Sequence, residues 1–267
     1  MLRVSHLAKT YGDGDDAVQA IGDVDLEVSK NEFVCIVGPS GCGKTTLLKC
    51  MAGLLAPTGG EVLLHDQRVD GPPERMALVF QEYSRSLFPW MTVRQNVAFP
   101  LRRKRLEKQK ARELVEHAVQ SVDLRRFLDR YPWELSGGMQ QRVAIARALA
   151  YQPEIMLMDE PFASVDAQTR ADLEDLILEV RREYGVTVVF VTHDIDESVY
   201  LSDRIAVLTP SPTTVQEVLE VDLPEPRDQV ETKELPEFAH LRGHVWRLIK
   251  RKQEEKAPEA APTGSAG

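Results

Sequence analysis

A five-residue apolar run, Phe33-Val34-Cys35-Ile36-Val37, leads straight into Gly38-Pro39-Ser40-Gly41-Cys42-Gly43-Lys44-Thr45. No other stretch constrains the fold as tightly. A continuous apolar run of this length reads as a strand buried on both faces, the kind found in parallel sheets covered by helices. The octet fits G-x-x-x-x-G-K-[ST] at every fixed position, a pattern that needs a strand before it and a helix after it. Its glycines let successive backbone N–H groups turn inward around an anion. The helix that follows is expected over 44–55, stopped by Pro57 and the Gly59-Gly60 pair, and its N-terminus adds partial positive charge. Lys44 is expected to reach the β- and γ-phosphates of a bound nucleotide and Thr45 to ligate Mg²⁺. Thr46 adds a hydroxyl near the α-phosphate. These residues describe a nucleoside triphosphatase and nothing narrower.

A second site is written at Ile155-Met156-Leu157-Met158-Asp159-Glu160, an apolar strand ending in two acids. In open α/β sheets the carboxyl ends of the strands form the mouth where ligands bind. Asp159 is expected to hold Mg²⁺, directly or through water, and Glu160 to orient and deprotonate the attacking water.

The rest of the chain supports an α/β layout. Residues 2–37 read as strand-rich, with Val24 to Val28 alternating apolar and acidic. Further strands are expected within 61–80. From 92 to 150 the pattern turns helical, and 102–128 carries apolar residues at Leu106, Leu114, Val115 and Ala118 near a 3.6 period. Strand runs at 155–158 and 187–191 enclose a helix over 167–184, which is a βαβ unit. Residues 236–252 read as a helical extension in which Trp246 and Leu248 favour burial, and 253–267 as a disordered tail. The basic run Arg102-Arg103-Lys104-Arg105 reads as a solvated helix face, with attraction to an anionic membrane surface as the alternative.

Composition removes several classes. A net charge of -9 argues against a dedicated nucleic-acid binder. No apolar run approaches the roughly 18–20 residues that cross a bilayer, and Met1-Leu2-Arg3-Val4 lacks a signal-peptide pattern. Cys35, Cys42 and Cys50 fit no zinc spacing and give no disulfide framework, so all three read as reduced and structural.

Leu135-Ser136-Gly137-Gly138-Met139-Gln140 narrows the family. It is a second helix start with a serine cap and exposed N–H groups, about 20 residues before the acidic strand. Here the chain resembles the ATPases of ABC transporters, whose signature is most often Leu-Ser-Gly-Gly-Gln; Met139 replaces the final Gln. Further stations follow in order. Tyr11 matches the aromatic that stacks on adenine, Gln81 the Q-loop glutamine, Asp166 the D-loop and His193 the switch histidine. Val165 stands where the D-loop usually has Leu.

The resemblance covers 2–235 and implies a P-loop, RecA-like parallel sheet core with an antiparallel β subdomain and an inserted α-helical subdomain at about 82–150. It implies two copies facing head to tail, with ATP on one phosphate loop contacted by Ser136, Gly137, Gly138, Gln140 and Asp166 of the other. Gln81 joins Thr45 and Asp159 as a metal ligand, and Glu160, His193 and Gln81 form the catalytic set. The implied partners are an integral membrane permease, a second ATPase and, indirectly, a solute-binding protein, at the cytoplasmic face of the membrane. Phe88-Pro89-Trp90-Met91 lies where the family receives its membrane partner. Phe80-Gln81-Glu82, 87–93, 193–198 and 221–227 resemble importers of nitrate, sulfonate, taurine and related small solutes. An exporter or lipid-trafficking ATPase, or a soluble non-transport ABC ATPase, remains the alternative, and the partner discriminates among them.

Overall fold

Alternate residues of the buried strand before the phosphate loop serve two different cores. In the computed structural model, which describes residues 1–81 and 86–256 (252–256 by backbone alone), Phe33, Cys35 and Val37 join one apolar cluster, while Val34 and Ile36 join another. The period of two that a strand imposes thus divides the molecule into two layers of core, one on each face of the sheet.

Among the described residues the sheet has ten strands: β1 (Leu2–Tyr11), β2 (Val18–Val28), β3 (Phe33–Val37), β4 (Gly59–Leu64), β5 (Gln67–Arg68), β6 (Met76–Val79), β7 (Ile155–Asp159), β8 (Thr187–Val191), β9 (Arg204–Leu208) and β10 (Thr213–Glu220). Their order is β5-β4-β1-β2-β10-β9-β3-β8-β7-β6. From β9 to β6 every pairing is parallel, and every residue of β3, β7 and β8 is buried. From β5 to β2 every pairing is antiparallel. β2 alternates buried and exposed residues along its second half, as a one-sided strand must. β10 joins the two halves, antiparallel to β9 and briefly parallel to β2 at Thr213–Ile21 and Thr214–Asp23. The family fold is therefore present, a parallel α/β core continued by an antiparallel sheet.

The helices among the described residues are α1 (Lys44–Met51), α2 (Val93–Ala98), α3 (Lys108–Ser121), α4 (Gly137–Ala150), α5 (Ala167–Tyr184), α6 (Ile195–Leu201) and α7 (Pro236–Lys256). Their side chains at Val93, Val97, Val115, Ala118, Val143 and Ile145 pack into the same cluster as Phe33. None of them is long and apolar enough to cross a membrane.

Several expectations need correction. The helix after the phosphate loop ends at Met51, short of 55. Gly53 turns left-handed at φ 66°, and the N–H groups of Leu54 and Leu55 close back on Lys49 O. The stretch 102–128 is not one helix. Arg105 (φ 49°) and Asp123 (φ 56°) break it, leaving α3 between two 3₁₀ turns. Leu106 falls before α3 and is exposed. The basic run is not simply solvated: Lys104 donates to Tyr151 O and sits over the Tyr151 ring, while the Arg102 guanidinium sits over Phe99. In α7, Phe238 and Val245 are buried, whereas Trp246 is exposed. The backbone is helical through 256; Glu82 and the tail 257–267 lie outside the described residues.

Candidate nucleotide site

Four parallel strands, β3, β6, β7 and β8, end on one edge of the sheet, and each carries a candidate residue there. After β3 the loop 38–43 leads into α1, with Gly43 at φ 104° as the N-terminal flanking residue. Lys44 is 6% exposed, and its ammonium donates to Gly38 O at 3.0 Å and Pro39 O at 3.2 Å. The cation is thus held in the middle of its own loop by two carbonyls. Cys42 is buried, and burial pushes its thiol above the usual range.

After β7 come the two acids. Asp159 is 6% exposed and accepts from the Thr45 hydroxyl at 3.1 Å. Burial pushes its carboxyl up, and the Thr45 bond opposes that shift. Glu160 stands at the centre of the cluster. Its Oε1 is 3.9 Å from the Lys44 ammonium, and its Oε2 accepts from Gln81 Nε2 at 3.3 Å and lies 2.9 Å from His193 Nδ1. One carboxylate therefore meets residues delivered by three other strand ends. Glu160 also holds a left-handed backbone at φ 41°, a conformation that costs a non-glycine residue of order 1 kcal/mol or more and is met at functional sites. An ionised carboxylate only accepts, so His193 places its proton on Nδ1 and keeps Nε2 for another partner.

The Thr45 hydroxyl and the Asp159 carboxylate meet, and together with the Gln81 amide they would offer oxygen donors only. Such ligands suit a hard divalent cation such as Mg²⁺ rather than a soft one. Tyr11 comes from the antiparallel sheet. Its hydroxyl lies 3.2 Å from Thr46 Oγ1, and the residue is 43% exposed.

Ser136, Gly137, Gly138 and Gln140 do not join this cluster. Ser136 caps α4 by accepting from Met139 N at 3.3 Å, and Gln140 Nε2 donates to Pro132 O and Leu135 O. Asp166 caps α5, accepting from Thr169 N at 3.0 Å and Thr169 Oγ1 at 2.7 Å. These two helix starts touch. A Cβ on Gly138 would lie 2.3 Å from Thr169 Cγ2, so the close approach admits glycine alone without a shift. The protein thus carries a cation-lined cradle with its acidic cluster in one place and a paired set of helix N-termini in another.

Sequence reading missed four residues around this site. Thr213 of β10 donates its hydroxyl to Cys42 O in the phosphate loop. Thr192, Arg170 and Glu197 form a polar cluster behind His193. Glu197 falls within the 193–198 stretch, whose resemblance gives it no role, and no motif marks the other three, because each reaches the site only through the order of strands and helices.

The family model described as ABC transporter matches residues 21–163. An uncharacterized ABC transporter ATP-binding protein of Methanocaldococcus jannaschii is 47% identical over 93% of this chain and 91% of its own length. An aliphatic sulfonates import ATP-binding protein of Bacillus licheniformis is 45% identical over 89% of each chain. Among solved structures, the dimeric post-hydrolysis state of an ATP-binding cassette bound to ADP and phosphate superposes with a TM-score of 0.71 at 34% identity, covering 83% of this chain and 99% of that one.

Proposed function

Because this chain belongs to the ABC transporter family as an ATP-binding, ATP-hydrolysing member, we propose that it powers an importer of small anionic solutes through a head-to-tail dimer of two copies. The observation that carries the hydrolytic part is the Glu160 cluster, with His193 at 2.9 Å and Gln81 at 3.3 Å from one carboxylate oxygen. Glu160 takes the proton of the attacking water, His193 steadies the γ-phosphate and the water, and Gln81 holds the carboxylate in place. Lys44 exchanges its two loop carbonyls for phosphate oxygens, and Tyr11 offers its exposed ring face to the base. Thr45, Asp159 and Gln81 would hold Mg²⁺, which neutralises charge on the β- and γ-phosphates.

The dimer reading accounts for the Ser136 turn standing apart from the phosphate loop. ATP on one copy would be closed by Ser136, Gly137, Gly138, Gln140 and Asp166 of the other. The γ-phosphate then holds the copies together, and hydrolysis releases them, a change driven by differential affinity for the closed state. The motion would reach a membrane permease through the surface beside Gln81. There a groove of about 290 Å³ is lined by Ala77, Leu78, Phe88, Phe99, Ala144 and Tyr151, and Trp90 stands 67% exposed next to Phe88. An exposed aromatic beside an apolar groove suits a partner helix. Import, rather than export, is supported by the sulfonate-import relative, and docking on a permease places the protein peripherally at the cytoplasmic face of the membrane. Delivery of cargo would fall to an external solute-binding protein.

The test compares wild type with Glu160→Gln in Mg²⁺ and ATP. The reading expects the variant to lose hydrolysis by about 10²-fold or more while forming an ATP-dependent dimer seen by light scattering. A variant that hydrolyses at the wild-type rate, or a chain that never dimerises with ATP even beside its permease, would sink it.

A further inference from the structure

Behind His193 lies a polar cluster that the phosphate site itself does not use. Thr192, at the end of β8, is buried. Its hydroxyl donates to Glu197 Oε2 at 2.6 Å and accepts from Asp194 N at 3.0 Å. Asp194 in turn caps α6 through Oδ1, which accepts from Asp196 N at 2.9 Å and Glu197 N at 3.2 Å. The other Asp194 oxygen accepts from Arg170 Nη1 at 2.9 Å, and Arg170 Nε lies 3.5 Å from Glu197 Oε1. One guanidinium from α5 thus spans the two acids that frame the turn directly after His193.

Arg170 stands in the first turn of α5, its N–H bonded to Asp166 O at 2.9 Å. Its neighbour Thr169 is the residue that meets Gly138 in the Ser136 turn. Consecutive residues of one helical turn therefore touch the Ser136 turn and the His193 turn. Stability alone is a poor reason for such an arrangement. A partly buried ion cluster gains little over apolar packing of the same volume, but its directional hydrogen bonds favour one registry. Arg170 Nε is buried and makes no hydrogen bond, so the Glu197 side of the bridge is engaged less tightly than the Asp194 side.

We propose that Arg170 and Glu197 are positioning residues for hydrolysis: they hold the His193 turn against Glu160 and tie its place to the first turn of α5, which leans on the Ser136 turn. A shift of the Ser136 turn, such as engagement of a partner's nucleotide, then moves Thr169, Arg170 and the loop bearing His193 together. This inference rests on the hydrolytic reading above.

The experiment measures kcat, KM for ATP, nucleotide affinity and the thermal midpoint for wild type, Arg170→Lys and Glu197→Gln. Lysine keeps the charge but has no planar fork to span two carboxylates. Glutamine keeps the shape and cannot ionise. The ring signal of His193 in NMR, assigned by its loss in His193→Ala, is the second readout. Both variants should lower kcat by about ten- to a hundredfold, as small misplacement of a reacting group does, with KM and affinity within about twofold. The His193 signal should shift while those of His6 and His65 stay. If Glu197→Gln melts below the assay temperature, Arg170→Lys carries the test. A kcat within about twofold of wild type in the folded variants overturns the proposal, and so does a lower kcat with the His193 signal unmoved. A wild-type chain that fails to hydrolyse ATP at all overturns the underlying reading instead, and the inference with it.

Discussion

Glu197 is a carboxylic acid placed where water scarcely reaches. Burial pushes its pKa up to about 7, Asp194 and Glu174 push the same way, and the Thr192 hydrogen bond and Arg170 pull it back. The folded protein therefore binds a proton that the unfolded chain releases near pH 4.5. That contribution to stability is complete below the unfolded pKa and is lost as pH rises to about 7. At 1.36 kcal/mol per unit, the loss across this window is about 3 kcal/mol. Glu197→Gln cannot titrate. Its stability relative to wild type should rise by about 2–3 kcal/mol between pH 4.5 and pH 7.5, read from urea midpoints of both chains at each pH. A difference that stays flat with pH would mean that Glu197 is not desolvated. Lys44 gives a second residue-scale prediction. Its buried ammonium already bonds two carbonyls, so it is preorganised rather than recruited. Lys44→Ala should weaken ATP binding by about ten- to a hundredfold, the equivalent of one or two charge-assisted bonds. Titration with a fluorescent ATP analogue measures this, and an unchanged affinity would remove Lys44 from the site.

Single elements show how a turn is held for a partner. Asn96 of α2 is fully buried; its Nδ2 donates to the carbonyls of Phe88, Met91 and Thr92, and its Oδ1 accepts from Phe88 N. One amide thus ties the whole turn that presents Trp90. Asn96→Ala leaves the Phe88 N–H without its partner and should cost about 2–3 kcal/mol, measured by chemical denaturation. A loss under half a kcal/mol would show that the turn holds itself. The same scale separates what was legible in the sequence from what was not. β3, β7 and β8 announce themselves as unbroken apolar runs because both faces are covered, and 167–184 reads correctly because Asp166 caps one end and Gly185 closes the other. Of the candidate site, Gln81, Asp159, Glu160 and His193 were legible because each stands at or within two residues of a strand end, and Lys44 and Thr45 because the glycine-rich loop after β3 leads into them. The breaks at Arg105 and Asp123 were not, since neither glycine nor proline marks them, although at Asp123 the N–H groups of Asp123 and Leu124 close back on Gln120 O and Val119 O. Thr213 and Arg170 were hidden for another reason. Their partners lie 171 and 24 residues away in sequence, and no local pattern encodes such a distance.

At the scale of the whole molecule, the phosphate cradle and the Ser136 turn must meet across two copies if the proposed dimer is right. Each composite site takes Lys44 from one chain and Ser136 from the other. Lys44→Ala and Ser136→Arg, each made alone, spoil both sites of their own symmetric dimer, one through the cradle and one through the closing turn. Mixing the two chains gives a different result. In a mixed dimer one site combines the intact Lys44 of the second chain with the intact Ser136 of the first, while the other site carries both lesions. With free exchange about half of the dimers are mixed, and with independent firing each has one working site of two. The mixture should then hydrolyse ATP at roughly a quarter of the wild-type rate, although neither parent does. Sites built within one chain predict nothing of the kind, because no mixing repairs a lesion in the same copy. A mixed rate no higher than the mean of the two parents, under conditions where labelled subunits are seen to exchange, would therefore rule out shared sites that fire independently.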